Sequence, residues 1–239
     1  DLIQNLPGLN LSKWIKELEQ AVRTEAPHLS IYDLTIEPDT VFGRLHKKGK
    51  LNIPIDSESQ KIDFETTRLL KSRGFARYEI SSYSLPGHAS RHNRMYWSGS
   101  GWWGFGMGAT SAPWGERFSR PRTIAGYKKW LEQQESQSLE KTLSIEKSKS
   151  MPLDELLMIG LRRREGIHLE ELAKNAGWTQ KKCDKNLKSL EKFWLNSINE
   201  GFLLRHNGRY FLSDPKGMQI SNQILIQMFL WWDSLDRDQ

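Results

Sequence analysis

The sequence predicts an α/β chain in two parts, a sheet-and-helix portion built on a parallel βαβ unit and a small α+β domain of winged-helix outline. Three observations carry this. Strand and helix patterns alternate over residues 1–34. The stretch QQESQSLEKTLSIEKSKS, 133–150, is polar, rich in serine and reads as a linker. Beyond it, three helical patterns precede two strands turned at Asn207-Gly208, a dipeptide suited to the positive-φ positions of a hairpin turn. The expected parts are 1–132, the linker 133–150, and 151–239.

Residues 1–6 read as a short strand closed by Pro7 and Gly8. Asn10 is the expected cap of a helix in which Leu11, Trp14, Ile15, Leu18 and Val22 recur at helical spacing. Residues 28–34 form the next strand, and strand, helix, strand implies parallel pairing through a right-handed crossover. EPDT at 37–40 is a turn signal, and 43–54, with Lys47, Lys48 and Lys50, reads as an exposed basic loop. Ser57 opens a helix running to Ser72, with Ile62, Leu69 and Leu70 on its apolar face and Gly74 at its end. FARYEISSY, 75–83, alternates as one half-buried strand. A short last strand over 104–110 and a connecting helix beginning near Arg120 to Tyr127 complete the first part. Asp33, Glu37 and Glu79, on or just after strands, read as structural or loop-capping carboxylates.

In the second part, Leu153, Leu156, Leu157, Ile159 and Leu161 mark a helix ending in Arg162, Arg163 and Arg164. Helices over 169–176 and 180–200 follow, then the hairpin 201–213 and a final apolar helix over 219–232 that docks onto the body. The third helix carries Lys181, Lys182, Lys185, Lys188 and Lys192, the kind of side chains that phosphate contacts need and that any solvated helix face also shows.

The 239 residues are 37% hydrophobic with ten tryptophans, enough to fill a core. No run approaches the ~18–20 apolar residues of a membrane span. A net charge of +6 fits nucleic acid, anionic lipid or an acidic ligand, and equally an ordinary solvated surface. The one cysteine, Cys183, excludes an intrachain disulfide and fits a reducing compartment, so a cytoplasmic location is expected, with peripheral membrane association left open.

Chemistry concentrates at 87–110, GHASRHNRMYWSGSGWWGFGMGAT. His88 and His92 are followed by Tyr96, Trp97, Trp102 and Trp103, then by glycine at 104, 106 and 108. An imidazole, flat rings and approachable backbone suit a large planar ligand such as haem. They equally suit a hydrogen-bonded packing histidine beside glycine turns.

The wording of this stretch adds to its chemistry. HNRMYW at 92–97 and GFGMGA at 104–109 resemble the HNxxYW and GFGxGA motifs of the haem-chaperone branch of the radical SAM superfamily, whose members are often labelled oxygen-independent coproporphyrinogen III oxidase-like. DLIQNLPG (1–8), SIYDLTIEPDTVFGR (30–44), YEISSYSLPGH (78–88) and RPRT (120–123) follow that family's order, so the resemblance covers most of the chain. It implies that the first part is the C-terminal portion of a partial TIM-like barrel. It also implies a haem-binding, haem-delivering role with His92 as the haem-contacting residue and Tyr96 and Trp97 shaping the pocket. His88 is the weaker candidate, because PGHAS suits a turn.

The same resemblance places S-adenosylmethionine beside Asp1, although Gln4-Asn5 stands where the family has tyrosine and glycine. The family's [4Fe-4S] cluster needs a CxxxCxxC loop that this sequence lacks, so no cluster ligand is assigned and a fragment missing its N-terminal half-barrel is expected. No catalytic residue is assigned. Expected partners are haem or another porphyrin and a haem-accepting protein, with self-pairing through the exposed strand at Asp1 left open. An oxidase of porphyrin synthesis is the alternative function, and a winged-helix nucleic-acid module is the alternative of another class, with nucleic acid not expected as the partner.

Overall fold

A computed structural model of the chain describes residues 1–113, 117–136 and 151–235. β1 (Leu2–Gln4) and β2 (His28–Asp33) pair in parallel, Leu2 opposite Ile31 and Gln4 opposite Asp33. Between them runs α1 (Leu11–Arg23), opened by the Asn10 side chain, which accepts the Lys13 N–H at 3.0 Å. The spacing of its apolar residues brings Trp14 and Leu18 onto the sheet, both fully buried. The buried indole N–H needs a partner and donates to Thr66 Oγ1 at 2.7 Å.

Residues 43–54 are not wholly loop, because α2 (Val41–Lys47) takes up their start. The Thr40 hydroxyl accepts the Gly43 N–H at 3.0 Å, so the turn word EPDT doubles as a helix cap. α3 (Asp56–Ser72) follows, its Ile62 and Leu70 buried in the core that Trp14 and Leu18 build.

The single strand expected over 75–83 is instead a reversal. β3 (Ala76–Arg77) and β4 (Ser82–Ser84) are antiparallel, Arg77 opposite Tyr83, and the Tyr78 N–H donates to the Ser82 carbonyl at 3.1 Å. At the reversal the buried Glu79 carboxylate accepts the Ser81 N–H at 3.3 Å, a local bond that accompanies the turn. β4 also runs antiparallel to β2, giving the order β1-β2-β4-β3 with β1 at an edge. The parallel pairing expected of the βαβ unit is present between β1 and β2, while the sheet as a whole is open and mixed, and no closed barrel is formed among the described residues.

The strand expected over 104–110 is likewise corrected. Gly106 and Gly108 have φ of 89° and 68°, a left-handed conformation that cannot continue a ladder. Pairing begins only at β5 (Thr110–Ser111), against β6 (Phe118–Ser119), with Trp102 bridging to Ala112. α5 (Ile124–Ser136) then absorbs 133–136, the first residues of the expected linker, and 137–150 lie outside the described residues.

The second part comprises α6 (Leu153–Leu161), β7 (Ile167–His168), α7 (Leu169–Asn175), α8 (Gln180–Phe193), α9 (Leu195–Asn199), β8 (Leu203–His206), β9 (Arg209–Leu212), α10 (Lys216–Gln219) and α11 (Ser221–Leu235). The strands form an antiparallel sheet in the order β7-β9-β8, β7 being too short to stand out in the sequence. Asn207 and Gly208, at φ of 49° and 74°, turn the hairpin as expected. The single helix expected over 180–200 is broken at Trp194, fully buried, whose indole donates to the Ile224 carbonyl at 3.2 Å. α11 docks by Ile224, Leu225, Met228 and Trp231, all buried. None of the described helices is long and apolar enough to cross a membrane.

Backbone joins the two parts: the Arg164 N–H donates to the Tyr78 carbonyl at 3.0 Å, and Glu79 and Arg163 form an antiparallel bridge.

Candidate functional site

His92 does not lie on a loop, as its place after a strand suggests, but on α4 (Arg91–Trp97). The Ser90 hydroxyl accepts the Asn93 N–H at 3.2 Å and starts the helix. The Tyr78 hydroxyl accepts the Ser90 N–H at 3.3 Å and shares a 2.8 Å bond with His28 Nε2, so the helix start is tied to β2. Burial pushes the His28 imidazole below its usual pKa, with Glu79 opposing.

The His92 ring is exposed and meets Tyr96, one turn on, edge to face with centroids 4.7 Å apart. Tyr96 meets Trp102 in the same manner at 4.9 Å. Trp97 is turned away from this row, its ring 5.8 Å from the Arg162 guanidinium of the winged part. The helix therefore brings His92 and Tyr96 together, adds Trp102, and sends Trp97 to a second face. That face lines a cleft of 420 Å³ between α4 and the winged part. Gly99, at φ 75°, lets the end of α4 close on α6: a Cβ there would stand 2.8 Å from Leu156 Cδ2. His88 is exposed in a turn, its N–H bonded to the Leu85 carbonyl at 3.1 Å.

A polar cleft of 400 Å³ lies at the C-terminal ends of β1 and β2. Asn5 donates to Asp33 Oδ1 at 2.5 Å there, and burial raises the Asp33 carboxyl above its usual pKa. Asn5 has φ 61°, so it takes the left-handed conformation that the family's glycine would hold. Gln4 Oε1, Asn5 Oδ1, Asp63 Oδ2, Arg77 Nε and Arg162 Nε are buried around it without a hydrogen bond. The sequence marked Gln4-Asn5 only as a departure from the family's motif and Arg162 only as the end of a helix, and gave no sign that the two meet in one cleft. Asp1 is exposed at the other end of β1. Glu37 acts through its carbonyl, which accepts the Thr40 hydroxyl at 2.7 Å.

Cys183 is buried, 2% exposed, in the core of the winged part, and burial raises its thiol pKa. Among the described residues no three His, Cys, Asp or Glu side chains are grouped to hold a metal ion. The five lysines of α8 are exposed, Lys182 standing 4.7 Å over the Trp178 ring.

No protein-family model matches the chain. It is 37% identical over 244 residues to the heme chaperone HemW of Synechocystis sp., covering 96% of this chain and 58% of that protein. HemW of Lactococcus lactis is 27% identical over 235 residues with the same coverage. Among solved structures, coproporphyrinogen III oxidase (HemN) of Escherichia coli, described as a radical SAM enzyme, matches with a TM-score of 0.68 at 13% identity, over 95% of this chain and 53% of that one. The chain thus spans 58% of the length of these HemW relatives. It is a homologue of the heme chaperone HemW and shares the fold of HemN over about half of that structure.

Proposed function

We propose that this chain holds haem for delivery to an accepting protein, with the His92 imidazole as the residue that contacts the iron. The observation that carries this is an exposed imidazole at the start of a capped helix, steadied edge-on by Tyr96 and backed by Trp102. Such a ring nitrogen is free to approach an iron, while the aromatic row offers an apolar wall to one side of a porphyrin. Trp97 contributes from the cleft side, through the packing of α4 on the winged part. The HemW relatives are named as heme chaperones, which supports the same reading.

For S-adenosylmethionine, the unbonded polar atoms around Gln4, Asn5 and Asp63 fit a polar ligand at the C-terminal strand ends. Asp1 would join them only from the opposite end of β1. The residues present do not fit a [4Fe-4S] cluster, since the chain's one thiol is enclosed in the winged core. Titration with haemin tests the haem reading: the chain is expected to shift the Soret band, and His92→Ala to abolish that shift with an unchanged circular dichroism spectrum. A His92→Ala protein that still shifts the band removes His92 from the assignment.

A further inference from the structure

Arg91, Arg94, Met95 and Ser98 fall on one face of α4 and its C-cap and form one wall of the cleft against the winged part. Tyr78 and Trp97 make it largely apolar, yet three guanidinium groups, of Arg91, Arg94 and Arg163, converge on it. One carboxylate answers them. Glu165, from the loop before β7, takes Arg94 at 2.7 Å with one oxygen and lies 3.9 Å from Arg163 Nε with the other. Arg163 Nε has no hydrogen bond, and Arg91 has no ion pair among the described residues. The other acid of the cleft, Glu79, accepts the Ser81 N–H, so three guanidinium groups stand against two carboxylates. Positive charge is therefore in excess around an apolar hollow.

We propose that this cleft is a subsite for a carboxylate carried by a flat, apolar ligand, and that Glu165 occupies the place of that carboxylate until the ligand displaces it. The proposal rests on the reading of α4 as the helix that faces a tetrapyrrole. Met95 and Arg91 stand on α4 between the His92 side and the cleft, so a ring system held on the helix can extend over Met95 and present an acidic substituent to Arg91 and Arg94. Guanidinium groups suit this task because they bind carboxylates in pairs of hydrogen bonds. Glu165 is well placed to yield: its side chain is 41% exposed and that of Arg94 53%, so their pairing is weakly held in water. Displacing Glu165 would also release one tie between α4 and the winged part, so ligand entry would be coupled to how firmly the two parts meet.

The test uses the full chain with metal-free protoporphyrin IX and its dimethyl ester, followed by porphyrin fluorescence. Without iron the porphyrin has nothing for His92 to ligate, and the difference between diacid and ester reports the carboxylate subsite. The diacid is expected to bind about tenfold more tightly than the ester. Glu165→Gln should tighten the diacid about threefold by removing the internal competitor. Arg94→Gln should weaken it about tenfold. Circular dichroism checks that each variant is folded. Equal binding of diacid and ester, no binding of either, or Glu165→Gln affinity no better than that of the parent chain overturns the subsite. A normal His92-dependent haemin shift beside such a result leaves the haem reading standing. Discrimination of diacid from ester without any haemin shift does the reverse.

Discussion

Arg77, on β3, stands 3.3 Å from Asp214, at the end of the winged sheet, while it holds Asp63 of α3 at 2.5 Å. The guanidinium side chain is only 4% exposed, so one buried cation joins the sheet, the helix that covers it and the second part of the chain. It also lies over the Tyr83 ring, 4.8 Å from its centroid.

Removing that cation leaves two partly buried carboxylates, Asp63 and Asp214, without their partner. Arg77→Ala is expected to cost about 3–5 kcal/mol, the usual penalty for breaking a buried pair by deleting one partner. Urea unfolding measures it. A loss below 1 kcal/mol would show that water reaches Asp63 and Asp214 freely.

His28 gives the fold a pH dependence of known sign. Its pKa is depressed from 6.5 by burial, with Glu79 opposing, so below that value the unfolded chain binds more protons than the folded one. Stability therefore rises with pH through the window between the folded pKa and 6.5, and is lost as pH falls through it. Urea midpoints recorded from about pH 5 to 7.5 should climb up to about pH 6.5 and level off above it, and His28→Gln should flatten the rise. An unchanged slope in the variant would assign the dependence to another group.

Gly99→Ala combines a left-handed backbone with a Cβ at 2.8 Å from Leu156 Cδ2. The expected loss is about 1–2 kcal/mol, since alanine resists positive φ and the α4 to α6 contact must part. Thermal unfolding reads the loss. The same variant should weaken porphyrin binding, because Trp97 and Arg94 face the cleft that this contact closes.

Local chemistry was legible in the sequence where one residue decides one conformation. Asn10 capped its helix, Asn207-Gly208 turned its hairpin, and the 3.6-residue spacing of Trp14 and Leu18 found the core. It failed where a side chain acts on its own backbone. Glu79 bonds the Ser81 N–H inside a turn where the alternation reads as one strand, and Thr40 turned a loop signal into a helix cap. Ser90 was equally readable as a cap and would have placed His92 on a helix. The aromatic partner of His92 follows from i,i+4 spacing once that helix is known, but the cleft on its other face does not. Its opposite wall, Arg163 and Glu165, lies about 70 residues on in sequence and is brought there by the Arg164 to Tyr78 hydrogen bond.

The most direct measurement is a haemin titration of the parent chain, His92→Ala and Tyr96→Phe, followed at the Soret band with circular dichroism on each. The account predicts a saturable shift in the parent chain, none in His92→Ala, and a shift retained in Tyr96→Phe, which keeps the ring that steadies the imidazole. No shift in a folded parent chain, or the same shift in His92→Ala, would contradict it.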